Sequence, residues 1–524
     1  MMKTVFSHNG KPFFPLGGQC HNSSSQSAAQ LEVSWQALKA LRANTAEVPV
    51  YWNLLEPEEG VFDFTQTDMI LAEAGKHGFC LILLWFGTWK NGKMQYTPEW
   101  VKQNPERFHR VITHDGFKAG VLSSHCKANL EADKKAFAAL AEHIKKIDTA
   151  GLVIGFQVEN EPGIDARAVR DHGPEGEAEY QSAVPVELVN YIAALPVTSR
   201  VRKAWAEAGE KKQGNWPELF GYQGGEFLSA WSVAKYINAV AHEGKKIVNL
   251  PMIVNVWNGD GGFNQPGLDY PSGGAAAKVL DLWKFASPDI DILGPDIYHT
   301  NIGQFDSVCA AFDRPDNPLF LPESLRRKPN EWGIISAVGR HHAVGYNMFG
   351  VEDILLEDSS VRPELQSVVD SFAMVSDAIP LIIASHENIH PIIQEEGMTF
   401  QLLELEGYVC NVQFREPGKA YYTHRWPSAH HERGRALLFQ TGAREFYCVG
   451  DSFFFDLRKK PILDETEFGN YCTNPRNETF LKIEEGHFDG NGDWQTDRVR
   501  TGDDLDFGIW MYAGNRVVHI VLCD

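Results

Sequence analysis

The chain has 524 residues, of which 43% are hydrophobic and 22% charged, and its formal net charge is −21 at pH 7. This composition is typical of a globular protein with ample material for a core, and the length exceeds one ordinary domain. The negative charge argues against nucleic acid or an anionic membrane as a partner, because both require a basic face.

The sequence lacks the usual features of a secreted or membrane-bound protein. Residues 1–10 contain no apolar segment of signal-peptide length, and no apolar run is predicted to span a bilayer. The eight cysteines are scattered without a C-x-x-C pair, which favours free thiols in a reducing compartment over disulfides or a zinc site. We therefore expect a cytoplasmic protein with no membrane partner.

Apolar strands and amphipathic helices alternate from the N-terminus onwards. Strands are predicted at 14–18, 44–51 and 79–86, and apolar residues in helical spacing lie between the first two. A long insertion, residues 87–128, follows the third strand. Residues 162–186, which are acidic and rich in glycine, form a second long loop after the fourth strand.

The fourth predicted strand ends in a group of polar side chains. Its apolar run begins at Leu152, continues through Phe156 and Val158, and ends in Glu159, Asn160 and Glu161. Such an abrupt change is typical of a buried parallel strand that meets solvent at its carboxyl end, where α/β barrels carry their chemistry. For an isolated Asn-Glu pair, a solvated turn would be the better interpretation.

Further strands predict a closed barrel followed by a β-domain. They lie at 251–256, 290–293, 319–323 and 345–349, so that eight apolar runs are each followed by a helical pattern. This arithmetic predicts an α/β fold, a (β/α)8 TIM barrel, over residues 1–385. Short strands separated by turns rich in Gly, Asp and Asn then predict a C-terminal all-β, sandwich-like domain over residues 386–524.

A second strand-end glutamate supplies a partner for Glu161. Glu323 ends the apolar run that begins at Leu319. Two carboxyl groups at barrel strand ends suit a reaction that needs one acid and one nucleophile or base, as in glycoside hydrolysis. Glu159 shares a strand face with Glu161 and is a rival, but we expect it to lie lower, hydrogen-bonded inside the barrel.

The segments 157–161 and 50–64 carry a specific resemblance. Gln-Val-Glu-Asn-Glu in the first, together with Val-Tyr-Trp-Asn-Leu-Leu-Glu-Pro-Glu-Glu-Gly-Val-Phe-Asp-Phe in the second, resembles the β-galactosidases of glycoside hydrolase families 35 and 42. The resemblance implies a (β/α)8 barrel with Glu161 as the acid/base and Glu323 as the nucleophile. It further implies that Asn160 contacts the sugar 2-hydroxyl and that Tyr298 hydrogen-bonds the nucleophile. The C-terminal part is similar to the β-domain found beside family-35-like barrels.

Other side chains at predicted strand ends are candidates for binding the sugar. An aromatic plane suits the apolar face of galactose, although tryptophan also fills barrel cores. The candidates for such a stacking floor are Trp52, Trp85, Trp89 and Trp257. The candidates for hydroxyl recognition at the same rim are Asn53, Lys90, Asn91 and Glu352. The strand-three segment 86–92 departs from the family 35 pattern, which leaves the sugar specificity open.

These features predict a retaining exo-β-glycosidase that removes terminal β-D-galactosyl residues from small oligosaccharides or glycosides. One alternative is the same mechanism on another β-linked sugar, a glucoside or arabinoside, and another is a non-catalytic carbohydrate-binding barrel. We expect a small carbohydrate as the partner and no cofactor or metal, and the sequence is compatible with a homo-oligomer. His341-His342 is assigned a structural role, because it lies on a predicted helix away from the strand ends.

Overall fold

A computed structural model describes residues 5–259, 264–414, 433–460, 478–505, 508–512 and 517–523. Seven strands form one parallel sheet in which each is hydrogen-bonded to its neighbours in the order sixth, fifth, fourth, third, second, first and eighth. In chain order, these are Leu16–Gln19, Thr45–Tyr51, Cys80–Lys90, Val153–Asn160, Met252–Trp257, Ile292–Asp296 and Tyr346–Phe349.

Residues 319–324 fill the seventh position and close the sheet into a barrel. The amide of Ile297, after the sixth strand, donates to the carbonyl of Glu323 at 3.0 Å, and the amide of Asn347, in the eighth, donates to the carbonyl of Leu321 at 2.9 Å. Parallel bridges join the segment to both neighbours. The predicted (β/α)8 barrel is therefore confirmed, and its strands lie within about three residues of the predicted positions, except that the third continues to Lys90.

One principal helix follows each barrel strand and packs against the barrel. The Lys127–Ile147 helix illustrates the reason, because Phe137, Leu140 and Ile144 are buried at helical spacing while lysines occupy its last turn. The eight are Ala28–Ala40, Thr65–His77, Lys127–Ile147, Gly224–Ile247, Leu280–Ala286, Ile302–Phe312, Asn330–Gly339 and Gln366–Ser385. Additional helices lie in the loops at Trp52–Leu55, Glu99–Lys102, Pro174–Gln181, Val186–Ala194, Arg200–Glu207 and Trp216–Phe220. The strands Arg110–Ile112 and Lys118–Leu122 form a hairpin.

The barrel interior has an apolar layer and a polar layer. Strand residues alternate between the interior and the helices, so Ile82 and Leu84 face inwards while Trp85 faces outwards. The apolar layer contains Phe6, Ile82, Leu84, Ile154, Ile253, Ile292, Phe320 and Val344. Nearer the carboxyl ends of the strands, the buried residues become polar: Gln19, Glu47, Gln157, Asn255, Asp296, Glu323 and Asn347. The chemistry is therefore positioned by the barrel itself.

The C-terminal region is a sandwich of two antiparallel sheets, as predicted. Its six-stranded sheet contains Ile389–Ile393, Arg435–Gly442, Glu445–Asp451, Val517–Leu522, Phe480–Phe488 and Trp494–Val499. Its four-stranded sheet contains Phe400–Glu404, Tyr408–Gln413, Phe453–Lys459 and Ile509–Met511. Apolar side chains such as Val412, Leu438 and Phe455 from both sheets form the core between them. The predicted boundary at residue 385 coincides with the end of the eighth barrel helix and stays a prediction.

The six-stranded sheet is buried on both faces. Leu438 faces the four-stranded sheet, whereas Leu437 and Phe439 join the apolar core of the barrel. The Arg435 guanidinium is buried and donates to the carbonyl of Ser367 in the last barrel helix at 3.2 Å. The barrel and one face of the six-stranded sheet therefore share an apolar core, which is separate from the core between the two sheets.

One helix corrects the expectation about membrane-spanning runs. Residues Pro363–Ser385 are long and apolar enough to cross a membrane by length and composition, with a mean hydropathy of 1.6 over the most apolar 18-residue window. Of its most apolar window, 56% is buried, and Phe372, Val375 and Ile382 lie in the shared core. The core helix of a globular protein meets the same criterion, so the feature does not by itself identify a membrane protein.

The shared core predicts that the barrel depends on the sandwich. A fragment of residues 1–385 should be poorly soluble, because it exposes the apolar surface that the six-stranded sheet covers. In the full chain, Leu437→Ala should lower the free energy of unfolding by about 2–5 kcal/mol. Leu438→Ala is the matched comparison, because the Leu438 side chain faces the four-stranded sheet and not the barrel. Soluble yield and denaturant unfolding measure both effects. A soluble, fully active 1–385 fragment would show that the barrel is independent.

Candidate active site

The two predicted glutamates meet at the carboxyl end of the barrel. Glu161 follows the last residue of the fourth strand, and Glu323 lies on segment 319–324; both are buried. One carboxylate oxygen from each of Glu161, Glu323 and Asp296 lies within 4.8 Å of the others. The three carboxyl groups therefore lie together in one site.

Glu323 lies among hydrogen-bond donors. The side-chain amide of Gln19 donates to Oε1 of Glu323 at 2.8 Å, and the side-chain amide of Asn255 approaches the same oxygen at 3.4 Å. The hydroxyl of Tyr298 donates to Oε2. Burial, and then the negative charge of Glu323, raise the pKa of Tyr298 far above its usual range, so this hydroxyl keeps its proton. Such donors stabilise a charged carboxylate in the position that a nucleophile requires.

Glu161 is held by its backbone. Its amide donates to Oδ1 of Asn255 at 2.8 Å, and its carbonyl accepts from the amide of Gly92 at 2.9 Å. Its φ of +44° lies in the left-handed region, which is costly for a residue with a side chain. The surrounding hydrogen bonds maintain this conformation and thereby determine where the carboxyl group points.

Asp296 is a third carboxyl group in the site. Oδ2 accepts from the Asn255 amide at 2.9 Å. Burial raises the pKa of Asp296 well above its usual range, and the charges of Glu323 and Glu161 and a hydrogen bond with Glu161 raise it further. Each of these effects disfavours the ionised form of Asp296. The same three carboxyl groups are spaced so that a cation would fit between them, and the expectation of a metal-free site stays a prediction.

Asn160 presents an oriented amide to the site. The ammonium of Lys90 donates to Oδ1 of Asn160 at 2.8 Å and also to the side-chain oxygen of Asn91. Because lysine only donates, Oδ1 must be the atom that faces it, and Nδ2 faces the other way. Nδ2 is buried and has no hydrogen-bond partner among the described residues. It is therefore a donor available for a sugar hydroxyl.

Three of the four predicted stacking tryptophans lie elsewhere. Trp52, Trp85 and Trp89 are fully buried. Trp85 faces the helices, where its indole donates to Asp133 at 2.8 Å, and Trp89 packs edge-on against Tyr236. The stacking floor predicted from these three is wrong, because none of them offers a face to a sugar ring. Trp257, at the end of the fifth strand, is partly exposed, and its predicted role stays a prediction.

Glu352 forms hydrogen bonds within the protein, and its predicted role in hydroxyl recognition stays a prediction. Both oxygens accept from the amide of His21, at 3.0 and 3.1 Å, and Oε1 accepts from the Ser34 hydroxyl at 2.6 Å. These bonds tie the first strand-to-helix loop to the first barrel helix. Asn53 is partly buried and its Oδ1 has no partner among the described residues, so its proposed contact with substrate stays a prediction.

Glu159 lies outside the barrel rather than inside it. Its carboxylate accepts from the amides of Thr88 at 3.2 Å and Trp89 at 2.6 Å, next to Asp133 on a barrel helix. Its φ of +67° breaks the strand alternation and turns the side chain towards the helices. Glu159 thus holds the backbone that carries Lys90, and it does not compete with Glu161 for the active face.

Sequence reasoning missed Gln19, Asn255 and Asp296. Each lies at or near the carboxyl end of a barrel strand, and the polar Asn255 interrupts an otherwise apolar run. That interruption was the available signal, because a polar side chain within a buried strand requires hydrogen-bond partners. Which groups serve as its partners depends on the closure of the barrel.

Comparison with known proteins agrees with this geometry. Residues 20–194 match the family 42 glycoside hydrolase model described as β-galactosidase, and residues 368–512 match a domain of unknown function, DUF5597. A β-galactosidase of Xanthomonas manihotis is 37% identical over 83 residues. That match spans 15% of this chain and 14% of the relative.

Similar solved structures include two β-galactosidases and a β-amylase. The enzyme from Rahnella sp. R3 is 19% identical, with 73% of this chain and 59% of that chain covered and a TM-score of 0.49. The enzyme from Bacillus circulans sp. alkalophilus is 15% identical, with 72% and 58% covered and a TM-score of 0.49. The β-amylase catalytic domain from Paenibacillus polymyxa is 13% identical, with 68% and 97% covered and the same TM-score.

Residues 20–194 are therefore similar to family 42 glycoside hydrolases, and the paired glutamates at the ends of barrel strands are the arrangement that such enzymes use. The resemblance to β-galactosidases noted in the sequence is confirmed over this part of the chain.

Proposed function

We propose that the chain is a retaining exo-β-glycosidase that hydrolyses terminal β-D-galactosyl residues of small oligosaccharides or glycosides. The observation that carries the proposal is the approach of the Glu161 and Glu323 oxygens to within 4.8 Å. This separation suits a direct attack by one carboxylate while the other donates a proton.

The reaction proceeds by double displacement. Glu323 attacks the anomeric carbon as the bond to the leaving oxygen breaks, and Glu161 gives that oxygen its proton. Glu161, now ionised, removes a proton from water, whose oxygen attacks the anomeric carbon and releases Glu323. Asn160 donates from Nδ2 to the sugar 2-hydroxyl, a contact that strengthens as the ring approaches the oxocarbenium-like transition state.

Two insertions on the active face support exo cleavage. Asp171, in the loop after the fourth strand, accepts from the amide of Ile112 at 2.9 Å and from the hydroxyl of Ser123, both in the insertion after the third strand. These bonds join the two loops into one wall beside the strand ends. A walled site admits the end of a sugar chain and excludes its middle.

The first test is the configuration of the released sugar. Hydrolysis of p-nitrophenyl β-D-galactoside, followed by proton NMR from the first minutes, should give the β-anomer of galactose before mutarotation. Initial release of the α-anomer would contradict the retaining mechanism. Matched β-glucosides and α-arabinosides determine the sugar preference, and a time course on a β-linked oligosaccharide should show monosaccharide from the start.

We also propose a cytoplasmic location. The seven cysteines within the described residues are free thiols, and six of them are buried, as expected in a reducing compartment.

A further inference from the structure

A second cavity lies on the same face as the catalytic carboxylates. Its volume is about 830 Å³, and it is formed by the loops that follow the fourth and fifth barrel strands. The side chains that matter for its chemistry are Arg167, Arg200, Tyr222, Glu226 and Lys278. Three of these are cationic, although the chain as a whole carries a net charge of −21.

A smaller cavity adjoins this one on the side of the fifth and sixth barrel strands. It has a volume of about 460 Å³ and shares Arg200 and Lys278 with the larger cavity. At its other side it is lined by Asn258 and His299, which directly follow Trp257 and the Tyr298 that bonds Glu323. The two cavities thus extend from the cationic side chains to residues that are adjacent in sequence to the ends of the fifth and sixth strands.

The single carboxylate lining the larger cavity is already neutralised. Glu226 is buried, accepts from the Tyr270 hydroxyl at 2.6 Å and pairs with the Lys278 ammonium at 2.8 Å. The guanidinium groups of Arg167 and Arg200, both exposed, form no ion pair or side-chain hydrogen bond with any described residue. Two charges therefore remain for a ligand.

Neither arginine stands where local stability favours it. Arg167 has a φ of +55°, in the left-handed region. Arg200 is the first residue of the Arg200–Glu207 helix, where the helix dipole is unfavourable for a cation. A role in binding an anion explains both positions. Tyr222, whose side chain is 92% exposed beside them, offers a ring on which a pyranose can stack.

We propose that this cavity is an aglycone subsite for a hexuronic acid, the acidic sugar to which the terminal galactosyl residue is linked. The inference rests on the proposed glycosidase function. A guanidinium binds a carboxylate through two parallel hydrogen bonds, and Arg167 and Arg200 supply the two groups. The substrate class is thus an oligosaccharide with a neutral galactosyl end followed by an acidic sugar.

The test compares two disaccharides that differ only in charge. These are lactose and the disaccharide in which glucuronic acid replaces the glucose of lactose. The wild type should show the higher kcat/KM on the acidic one. Arg167→Gln and Arg200→Gln should each lower that kcat/KM about tenfold through KM, and leave lactose and p-nitrophenyl β-D-galactoside unchanged. Lys203→Gln, an exposed cation on the same helix outside the cavity, is the matched control.

Binding without turnover separates this inference from the proposed function. Titration of the Glu323→Gln variant with the acidic disaccharide should give a Kd about tenfold lower than titration with lactose. This difference should disappear when the same variant also carries Arg167→Gln and Arg200→Gln. If that binding is seen while the wild type hydrolyses no galactoside, the subsite stands and the activity fails. Hydrolysis of both disaccharides with equal kcat/KM would overturn the subsite. Tighter binding of a sulfated disaccharide than of the acidic one would overturn the assignment to a uronic acid.

Discussion

Glu323→Gly should lower kcat on an aryl β-galactoside roughly 10⁴-fold or more, because no other group can form the glycosyl-enzyme intermediate. Azide should restore turnover by entering the space left by the carboxylate. It then attacks the anomeric carbon from the face that Glu323 used while Glu161 protonates the leaving oxygen. The product should be the α-galactosyl azide, inverted relative to the substrate, as identified by NMR.

The acid/base variant should give the opposite stereochemistry. In Glu161→Ala the intermediate on Glu323 still forms from an activated aryl substrate, and azide then displaces it to give the retained β-galactosyl azide. Glu159→Gln is the control, because its side chain faces the helices and azide should rescue nothing there. If the two azide products are exchanged, the roles of Glu161 and Glu323 are exchanged as well.

Asp296→Ala should lower kcat about 10²-fold, since it leaves the Asn255 amide without its acceptor. Asn255 holds the backbone of Glu161 and approaches Glu323, so a small rotation of its side chain displaces both catalytic groups. Asp296→Asn, which keeps a neutral hydrogen-bonding group of the same shape, should retain most of the activity. Loss of activity as large in the asparagine variant as in the alanine variant would mean that the ionised form of Asp296 is required.

The free energy of unfolding gives an independent measure of the Asp296 proton. The pKa of Asp296 is raised in the folded protein, so the folded state binds this proton more tightly than the unfolded state does. The contribution of this tighter proton binding to the free energy of unfolding is complete below the unfolded pKa of about 4. It is lost as the pH rises through the folded pKa. Asp296→Asn should therefore be more stable than the wild type at pH 7, and the difference should shrink as the pH falls to about 4. A difference independent of pH would show that folding does not raise the pKa of Asp296.

The barrel and the position of both glutamates followed from the sequence, because apolar runs that end in carboxylates indicate parallel strands and their carboxyl ends. The direction of Trp85 did not follow. A strand buried on both faces is apolar at every position, so its alternation gives no sign of which side faces the helices. Trp89 and Glu159 were misassigned for a related reason: the third strand runs on to Lys90, and the positive φ of Glu159 reverses the side-chain direction. Both effects arise from tertiary pairing.

The two layers of the barrel interior place the residues that stabilise the fold and the residues that carry the chemistry at opposite ends of the barrel. Isoleucine, leucine and phenylalanine fill the amino-terminal half, and such residues can be exchanged for one another at modest cost if the volume is kept. The carboxyl-terminal half is a network of amides and acids, from Gln19 round to Asn347, in which each member depends on its neighbours. Variants selected for heat tolerance should therefore accumulate substitutions in the first half, whereas changes of sugar preference must come from the loops above the second, leaving the network between them intact.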